Sequence, residues 1–578
     1  MQKTTCNQNP LPCTQGRGQG EGTAVRDIAR FASRSVRPLT PTLSPEYRGE
    51  GEIALTSFVG CALAHAEPSR SPSRPLALKR TLRAPLKIGL AIAMVVLAIN
   101  DPRALATNSP LADAAEKSNW PQVQTLLKDH ADVNAAQVDG MTALHWAAYQ
   151  DDAASVKLLL DSGANAKAEN RYGVTPISLA ATNGNEQIIR LLLKAGADPN
   201  TTVRGGESVL MTAARVGRVG PMKALLEAGA TVDPKERNGQ TALMWAADEG
   251  HVAVVELLIK AGADPHARLR SGFTPMLFAA REGRIEVVRA LLKAGIDANE
   301  AIGPNVRGSG TTPKTGVSAL ILATENGHFE CAAELIKAGA DPNDQRSGYT
   351  PLHVLTWVRK PNRGDDPDGQ PPPNGSGNMT SLQYARFPVE HGAKVNTQLE
   401  RGPTGRGKLN HTGATAFLLA SKTADLPLLK LLVELGADPL LPNKDGCTPL
   451  MAAAGIGTLA PDEEAGTEEE CLAAVQYLLT LKADVNTVDQ NGETAMHGAA
   501  YKSLPKMVEF LAKHGAKIDV WNRKDRYGWT PLLLAEGFRP GNFKPSFETI
   551  DAIRKVMIEA GVTPPPPTPR DAKPAVGY

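Results

Sequence analysis

The sequence predicts an all-α fold, a solenoid of stacked helix-loop-helix units. A short phrase recurs along the chain: Ser or Thr, then Pro, Ala or Val, then an apolar residue. The first six copies stand 33 residues apart. A fixed period of this size is typical of repeat proteins, whose units bury their apolar faces against one another. The twelve anchor residues are Ser109, Thr142, Thr175, Ser208, Thr241, Thr274, Ser318, Thr350, Thr415, Thr448, Thr494 and Thr530.

The unit anchored at Thr241 shows how each repeat is predicted to fold. Two amphipathic segments, Ala242–Glu249 and Val252–Ala261, predict a pair of short helices that need neighbours for stability. The Thr241 hydroxyl is placed to cap the first helix, Gly250 suits a left-handed turn, and Gly262 ends the second helix. Pro follows the anchor in several other units, where its missing N–H costs nothing; examples are Pro176, Pro275, Pro351, Pro449 and Pro531.

The composition and the later spacings define the extent of this array. Hydrophobic residues make up 42% of the chain but aromatic residues only 4%, which suits a thin, continuous core rich in Ala and Leu. We place twelve repeats in residues 107–562 and a Pro-rich tail in 563–578. Longer intervals toward the C-terminus predict insertions, which either extend a recognition surface or are neutral; they lie near residues 301–315, 360–378, 401–412 and 455–468.

The repeated phrase resembles the ankyrin repeat. It reads Thr142-Ala143-Leu144-His145-Trp146-Ala147 in one unit and Thr350-Pro351-Leu352-His353 in another, and L-L-x-x-G-A-x-x-N follows. The resemblance implies an ankyrin-repeat solenoid with projecting β-turn or hairpin loops, and a concave face built from those loops and the first helices. The His of the phrase recurs only at positions 145, 353 and 497, so any hydrogen-bond ladder through it must be broken. Elsewhere the position holds other residues, such as Ser178, Met211, Met244 and Leu277.

The same resemblance implies which side chains contact a partner. In the ankyrin pattern, the position before the anchor and the two positions after the Ala pair face the concave surface. Tyr, Trp and Arg at such positions are the residue types that anchor interfaces, because they bury large areas and keep a polar group. The predicted partner-binding residues are Met141, Tyr149, Arg215, Phe273, Arg281, Tyr349, Trp357, Tyr501 and Trp529.

Residues 79–106 have the three-part plan of a secretory signal peptide. Four basic residues precede an apolar run, Ile88–Ile99, and Ala104-Leu105-Ala106 offers a cleavage site of small residues. The run of 12 residues is short for a bilayer span, which takes about 20. We therefore expect no stable membrane span and an exported protein, periplasmic or secreted after cleavage near Ala106.

Residues 1–78 precede this signal and are rich in Pro, Gly, Ser and Arg without sustained periodicity, so we expect disorder. Residues 38–52 resemble translated intergenic repeat DNA of bacterial genomes. This resemblance indicates a bacterial source and a true start codon further downstream. An alternative interpretation takes residues 53–66 as the exported segment, because Phe58-Val59-Gly60-Cys61 resembles a lipoprotein cleavage box.

Charge and motifs argue against several function classes. The net charge is +2, but residues 107–578 hold 49 Lys and Arg against 54 Asp and Glu, which gives nucleic-acid binding little electrostatic support. The sequence has no phosphate-binding loop, dinucleotide motif, nucleophile elbow or paired zinc ligands. We expect no catalysis, no cofactor and no metal. The array contains an odd number of cysteines, Cys331, Cys447 and Cys471. Cys447 precedes the first helix of its unit and Cys471 opens the second, at opposite ends of antiparallel helices, so we expect no disulfide between them.

These observations predict a non-catalytic protein that binds a protein or peptide partner through the concave face and loop tips. Polar side chains on the first and last helices predict a capped, monomeric array. Two alternatives stay open from the sequence. One is an ankyrin effector secreted toward a host, and the other is a hydrolase or metal-dependent enzyme assembled from loops.

Overall fold

The computed structural model describes residues 109–303, 315–363, 371–405, 407–461, 463–538 and 544–569. Within these ranges, helices form twelve pairs and strand structure is limited to two isolated bridges, Thr202 with Ser208 and Ala301 with Ser318. The all-α prediction is therefore confirmed. The predicted disordered region, the signal peptide and the cleavage site near Ala106 all lie outside the described residues.

Each pair consists of a first helix, which begins after an anchor residue, and a second helix that follows a turn. The first helices are α1 (Pro110–Glu116), α3 (Ala143–Tyr149), α5 (Pro176–Asn183), α7 (Val209–Val216), α9 (Ala242–Glu249), α11 (Pro275–Arg281), α13 (Ala319–Glu325), α15 (Pro351–Arg359), α17 (Ala416–Lys422), α19 (Pro449–Ala453), α21 (Ala495–Tyr501) and α24 (Pro531–Ala535).

The second helices are longer on average and carry the branched apolar side chains of the core. They are α2 (Trp120–Lys128), α4 (Ala153–Asp161), α6 (Glu186–Lys194), α8 (Val219–Glu227), α10 (Val252–Lys260), α12 (Ile285–Lys293), α14 (Phe329–Lys337), α16 (Ser381–Glu390), α18 (Leu426–Glu434), α20 (Glu468–Thr480), α22 (Pro505–Lys513) and α25 (Phe547–Glu559); a single helical turn, α23 (Ile518–Trp521), precedes the last pair.

The pairs stack in sequence order. Each first helix contacts the next first helix, and most second helices contact the next second helix. Small residues allow this close approach: Ala246 and Ala247 of α9 are fully buried, as are Val254 and Val255 of α10. The described core is one continuous apolar cluster, so each unit depends on its neighbours for burial.

Local signals place the helix ends where the sequence predicts them. The Thr241 hydroxyl accepts a hydrogen bond from the Met244 N–H at 3.4 Å, and this bond caps α9. Gly250 and Gly262 adopt φ of 86° and 94°, a left-handed conformation that residues with a Cβ rarely adopt. The predicted bounds of this unit are confirmed to within one residue.

Three histidines tie a repeat to the next loop. In the unit of His145, the Thr142 N–H donates to Nδ1 at 3.2 Å, so Nε2 carries the proton and donates to the Val174 carbonyl at 3.1 Å. His353 and His497 make the corresponding contacts. Burial lowers the pKa of all three, to about 4 for the latter two. These histidines are structural, and the link is missing where Met211, Met244 or Leu277 replaces His.

The insertion between α15 and α16 folds back over earlier repeats. Its second described part, residues 371–380, is called the strap; the first, residues 360–363, directly follows α15. The Ser376 N–H donates to His328 Nδ1 at 2.8 Å, and the Asn378 N–H donates to Glu330 Oε1 at 2.6 Å. The Ser376 hydroxyl also reaches the Gly283 carbonyl at 3.3 Å, two repeats before its own. The strap therefore adds contacts beyond nearest neighbours in the stack.

Two further insertions are anchored by apolar residues, although their composition predicts polar surface loops. In the segment near 401–412, Leu409 is buried. In the segment near 455–468, Ile456 and Ala465 are buried. The second segment is also held by charge, since Lys422 Nζ lies 2.8 Å from Glu464 Oε2. Most of the insertion near 301–315 lies outside the described residues.

The three cysteines of the array are buried and unpaired. Burial raises the pKa of each thiol, to about 12 for Cys331. In the part of the chain that the structure describes, no helix is long and apolar enough to cross a membrane. The last helix, α25, leaves Phe547 and Ile558 exposed, so its outer face is less polar than the sequence pattern predicts.

Candidate functional site

The predicted partner-binding residues lie along what we call the first-helix face, formed by the ends of the first helices and the loops that precede them. Tyr149 is 49% exposed, and four others are half-buried. The expectation of exposure is wrong for the remaining four, which are at most 8% exposed: Met141, Phe273, Tyr501 and Trp529. Whether any of the nine contacts a partner stays a prediction.

Packing within the array accounts for the four buried side chains. The Met141 sulfur accepts from Asn170 Nδ2 at 3.4 Å in the next loop. Phe273 packs against Phe278, with ring centroids 5.2 Å apart. Trp529 packs at the same centroid distance against Tyr527. These loop residues turn toward the stack because an apolar neighbour is available there.

Tyr501 is fully buried beside a group of carboxylates. Its hydroxyl hydrogen-bonds Glu493, whose pKa is raised to about 8, first by burial and then by the nearby charge of Asp489. Burial also raises the pKa of Tyr501. At neutral pH both groups hold their protons, so Tyr501 packs here as an uncharged residue of the core.

An exposed aromatic pair marks the start of the first-helix face. Tyr149 packs edge-on against Trp146, with ring centroids 5.9 Å apart. Trp146 is fixed because its Nε1 donates to Gln137 Oε1 at 2.8 Å. The solvent-exposed side of the Tyr149 ring is therefore held in a fixed orientation by Trp146.

Arg215 is held in place by two adjacent repeats. Its Nη2 lies 3.3 Å from Glu207 Oε1 of its own unit, and its guanidinium stands over the Trp245 ring of the next unit, 5.5 Å from the centroid. Trp245 is not among the predicted site residues. The same position, four residues after the anchor, holds Trp146 and Phe278 in other units. This periodic set of aromatic residues could have been added to the predicted site from the sequence alone.

Arg281 has a similar environment with a closer ion pair. Its Nη2 lies 2.8 Å from Asp248 Oδ1, and its guanidinium stands within 5.6 Å of the centroids of Phe273 and Phe278. Burial raises the pKa of Asp248 to about 6 and outweighs the opposing effect of Arg281. The pair is thus ionised at neutral pH and loses its carboxylate charge in mild acid.

The third cluster contains Tyr349, Trp357 and His411. The two larger rings pack edge-on at 4.9 Å, and His411, from the insertion near 401–412, lies with Nδ1 3.5 Å from the Tyr349 hydroxyl. Burial lowers the pKa of His411 to about 4, so it is neutral at physiological pH. His411 was missed by sequence reasoning because 62 residues separate it from Tyr349.

The chemistry of this face is suited to binding. Among the described residues, no group of three or more His, Cys, Asp or Glu side chains is arranged to hold a metal ion. The accessible aromatic and Arg side chains described above are fixed by contacts within and between repeats and leave part of their surface open. Such a surface recognises the shape and charge of another molecule.

Comparison with protein families identifies the repeats. Residues 111–203, 210–302 and 465–542 match the sequence model for "Ankyrin repeats (3 copies)", and residues 315–346 match the one for "Ankyrin repeat". Together these matches cover about half of the chain. The resemblance seen in the sequence is therefore confirmed for these segments.

Individual relatives match about a quarter of this chain. The chain is 33% identical over 168 residues to Neurogenic locus notch homolog protein 1 of Xenopus tropicalis, which is 25% of this chain and 6% of that protein. It is 30% identical over 162 residues to the B-cell lymphoma 3 protein homolog of Mus musculus, which is 28% of this chain and 31% of that protein. The chain thus spans a minor part of these relatives.

Among solved structures, the chain is similar to the human ASB11 ankyrin repeat domain. The match has 25% sequence identity and a TM-score of 0.36, and it covers 41% of this chain and all of that domain.

Proposed function

Because this chain is an ankyrin-repeat protein, we propose that it is a non-catalytic scaffold that binds a protein or peptide partner through its first-helix face. The observation that carries the proposal is the pair of Arg clusters. Arg215 and Arg281 each stand over aromatic rings and are each oriented by a carboxylate. Such side chains recur at the centres of protein interfaces.

Preorganisation supports the same function. Ordering a long side chain at an interface costs roughly 0.5–1.5 kcal/mol. Arg281 is already ordered by Asp248, and Trp357 by Tyr349, so a partner that contacts them avoids part of that cost. Tyr149, Arg215, Arg281, Tyr349 and Trp357 are the accessible members of the predicted set, and the proposal rests on them.

We also propose that the protein acts outside the cytoplasm as a monomer. The export proposal is supported by the signal-like sequence of residues 79–106, and the partner would then be a protein of the cell envelope or its surroundings.

The binding proposal is tested by selecting ligands for the purified full chain from a phage-displayed library of random peptides. Affinity of a selected peptide is then measured by calorimetry for the wild type, for Tyr149→Ala, for an Arg215→Ala/Arg281→Ala variant and for a Tyr349→Ala/Trp357→Ala variant. A loss of affinity of about tenfold or more in at least one of these variants is expected for an anchor residue. Tyr477→Ala, on second helix α20, is the matched control and should bind as the wild type. Unchanged affinity in every variant would place the ligand elsewhere and contradict the proposal.

A further inference from the structure

The tips of successive loops carry a regular series of Arg side chains. Two residues before the loop glycine, four consecutive units place an Arg, and these positions are 33 residues apart. We call this set the Arg ladder. Later units place further basic residues at the same position, including Arg346, Lys444 and Arg526. The members of the Arg ladder are Arg171, Arg204, Arg237 and Arg270.

Backbone hydrogen bonds align these tips. The Arg171 N–H donates to the Asp139 carbonyl of the preceding loop at 2.8 Å, and the Arg237 N–H donates to the Gly205 carbonyl at 2.8 Å. The side chain of Arg204 follows the same direction, since its Nη2 donates to the Arg171 carbonyl at 3.3 Å. The four side chains are exposed, so the Arg ladder forms a row along one edge of the stack.

Within the described part of the chain, no guanidinium group of the Arg ladder forms a salt bridge. The salt bridges found there involve other residues. Carboxylates of the same loops are engaged in turns instead. Glu236 Oε1 accepts from the Asn238 and Gln240 N–H groups, at 2.7 and 3.0 Å. Asp198 and Asp264 each accept from the backbone two residues further on.

We propose that the Arg ladder binds an extended acidic segment of the protein partner, with a carboxylate at about every third residue. This inference rests on the proposed function and adds the chemical class of the partner. Stacked helices lie about 8–10 Å apart. An extended chain in the polyproline II conformation advances about 3.1 Å per residue with three residues per turn, so every third side chain lies on the same side and meets a new loop tip. Guanidinium and carboxylate groups match in geometry and form paired hydrogen bonds.

Periodicity favours a peptide over a nucleic acid. Duplex DNA carries a negative charge about every 1.7 Å along its axis, a much finer spacing than that of the Arg ladder. Residues 107–578 also carry more acidic than basic residues, which opposes a general polyanion. An extended segment with spaced carboxylates matches the spacing of the Arg tips. It also contacts only these tips, so the acidic remainder of the surface does not repel it.

The test measures fluorescence anisotropy of a fluorescein-labelled peptide of repeated Glu-Gly-Ser with the full chain at low ionic strength. The variant is Arg171→Gln/Arg204→Gln/Arg237→Gln/Arg270→Gln, in which Gln keeps a donor for the neighbouring carbonyl. The matched control changes four exposed lysines on second helices of the same units to Gln, with the same loss of charge. These lysines are Lys194, Lys223, Lys260 and Lys293.

We expect the ladder variant to bind the peptide about tenfold or more weakly and the lysine variant to bind within about twofold of the wild type. A peptide of the same composition with its Glu residues in one block should bind more weakly than the spaced peptide. Equal losses in both variants, tighter binding of a single-stranded oligonucleotide, or no binding of the spaced peptide would each overturn the proposal.

This test separates the ladder from the first-helix face. The Tyr349→Ala/Trp357→Ala variant should bind the spaced acidic peptide as the wild type does, because both residues lie away from the loop tips of the ladder. Binding of a display-selected ligand without binding of the acidic peptide would overturn only the proposal for the Arg ladder. The reverse result would support the ladder and remove the first-helix face as the binding surface.

Discussion

Arg359 and Asp425 form a two-point ion pair across adjacent repeats. Nε of Arg359 lies 2.6 Å from Oδ2 of Asp425, and its Nη2 lies 3.0 Å from Oδ1. Asp425 is fully buried and also caps α18 by accepting from the Leu428 N–H. The last residue of α15 thus fixes the start of the second helix in the next unit. The insertion that contains the strap begins directly after this arginine.

Removal of this arginine should destabilise the protein strongly. In Arg359→Leu, the buried Asp425 carboxylate loses its counter-charge, which typically costs about 3–5 kcal/mol. Arg386→Leu is the matched control, because Arg386 pairs with Glu434 between the same two units but at the surface, and exposed pairs contribute about 1 kcal/mol or less. Urea denaturation followed by circular dichroism measures both. Similar losses in the two variants would contradict this account of the pair.

The buried histidines predict acid sensitivity. His353 accepts a hydrogen bond from Thr350 only when it is neutral, while its Nε2 donates to the Ala414 carbonyl. Burial lowers its pKa to about 4 from an ordinary value of 6.5. The stabilisation is therefore complete above pH 6.5 and is lost as the pH falls toward 4, by on the order of 3 kcal/mol.

A variant isolates this contribution. His353→Leu should be less stable than the wild type at pH 7.5 but should show a smaller loss of stability between pH 7 and 4.5, because one titrating group is absent. Leu355→Ala is the control, because it destabilises the same helix without removing a titrating group and should keep the wild-type pH profile. The prediction is wrong if the two variants have the same dependence of unfolding free energy on pH.

The strap depends on a close approach of two backbones. A Cβ built on Gly375 would lie 1.8 Å from the Gly327 carbonyl oxygen, so Gly375→Ala should displace the strap from the turn before α14. We expect trypsin cleavage at Arg363 to become several-fold faster, because local opening exposes the backbone to protease. Gly303→Ala, where nothing lies within 4 Å of the added Cβ, should be cleaved at the wild-type rate. Unchanged cleavage in Gly375→Ala would show that the strap does not need this contact.

Sequence and structure agree where short-range signals decide the outcome. Thr241, Gly250 and Gly262 fix helix ends through contacts within a few residues, so the pattern alone predicts α9 and α10. The twelve anchors likewise each precede a first helix in the structure. These capping and turn residues recur because every unit has the same two helices and the same turns to form.

Features that depend on distant neighbours could not be read from the pattern. Arg215 meets Trp245 of the next unit, and His411 meets Tyr349 across 62 residues and an insertion. Tyr501 is buried beside Glu493, and the raised pKa of Glu493 arises only in the folded surroundings. The family pattern names positions on a face, but the residues of adjacent loops decide which side chains stay accessible.

The export proposal is tested by the N-terminus of the mature protein. Expression of the full reading frame in a bacterial host, followed by fractionation, should give a periplasmic chain that begins at Thr107, since the small-residue site ends at Ala106. Intact mass and N-terminal sequencing identify the start. A cytoplasmic chain that retains Ile88–Ile99 would contradict export.

Site-specific photo-crosslinking tests the central claim, binding through the first-helix face, most directly. Benzoylphenylalanine replaces Tyr149, Trp357 or, as a control on second helix α20, Tyr477, and each protein is irradiated with a display-selected peptide ligand. The account predicts an adduct from position 149, position 357 or both, and none above background from position 477. An adduct from position 477 alone, or equal yields at all three positions, would contradict it.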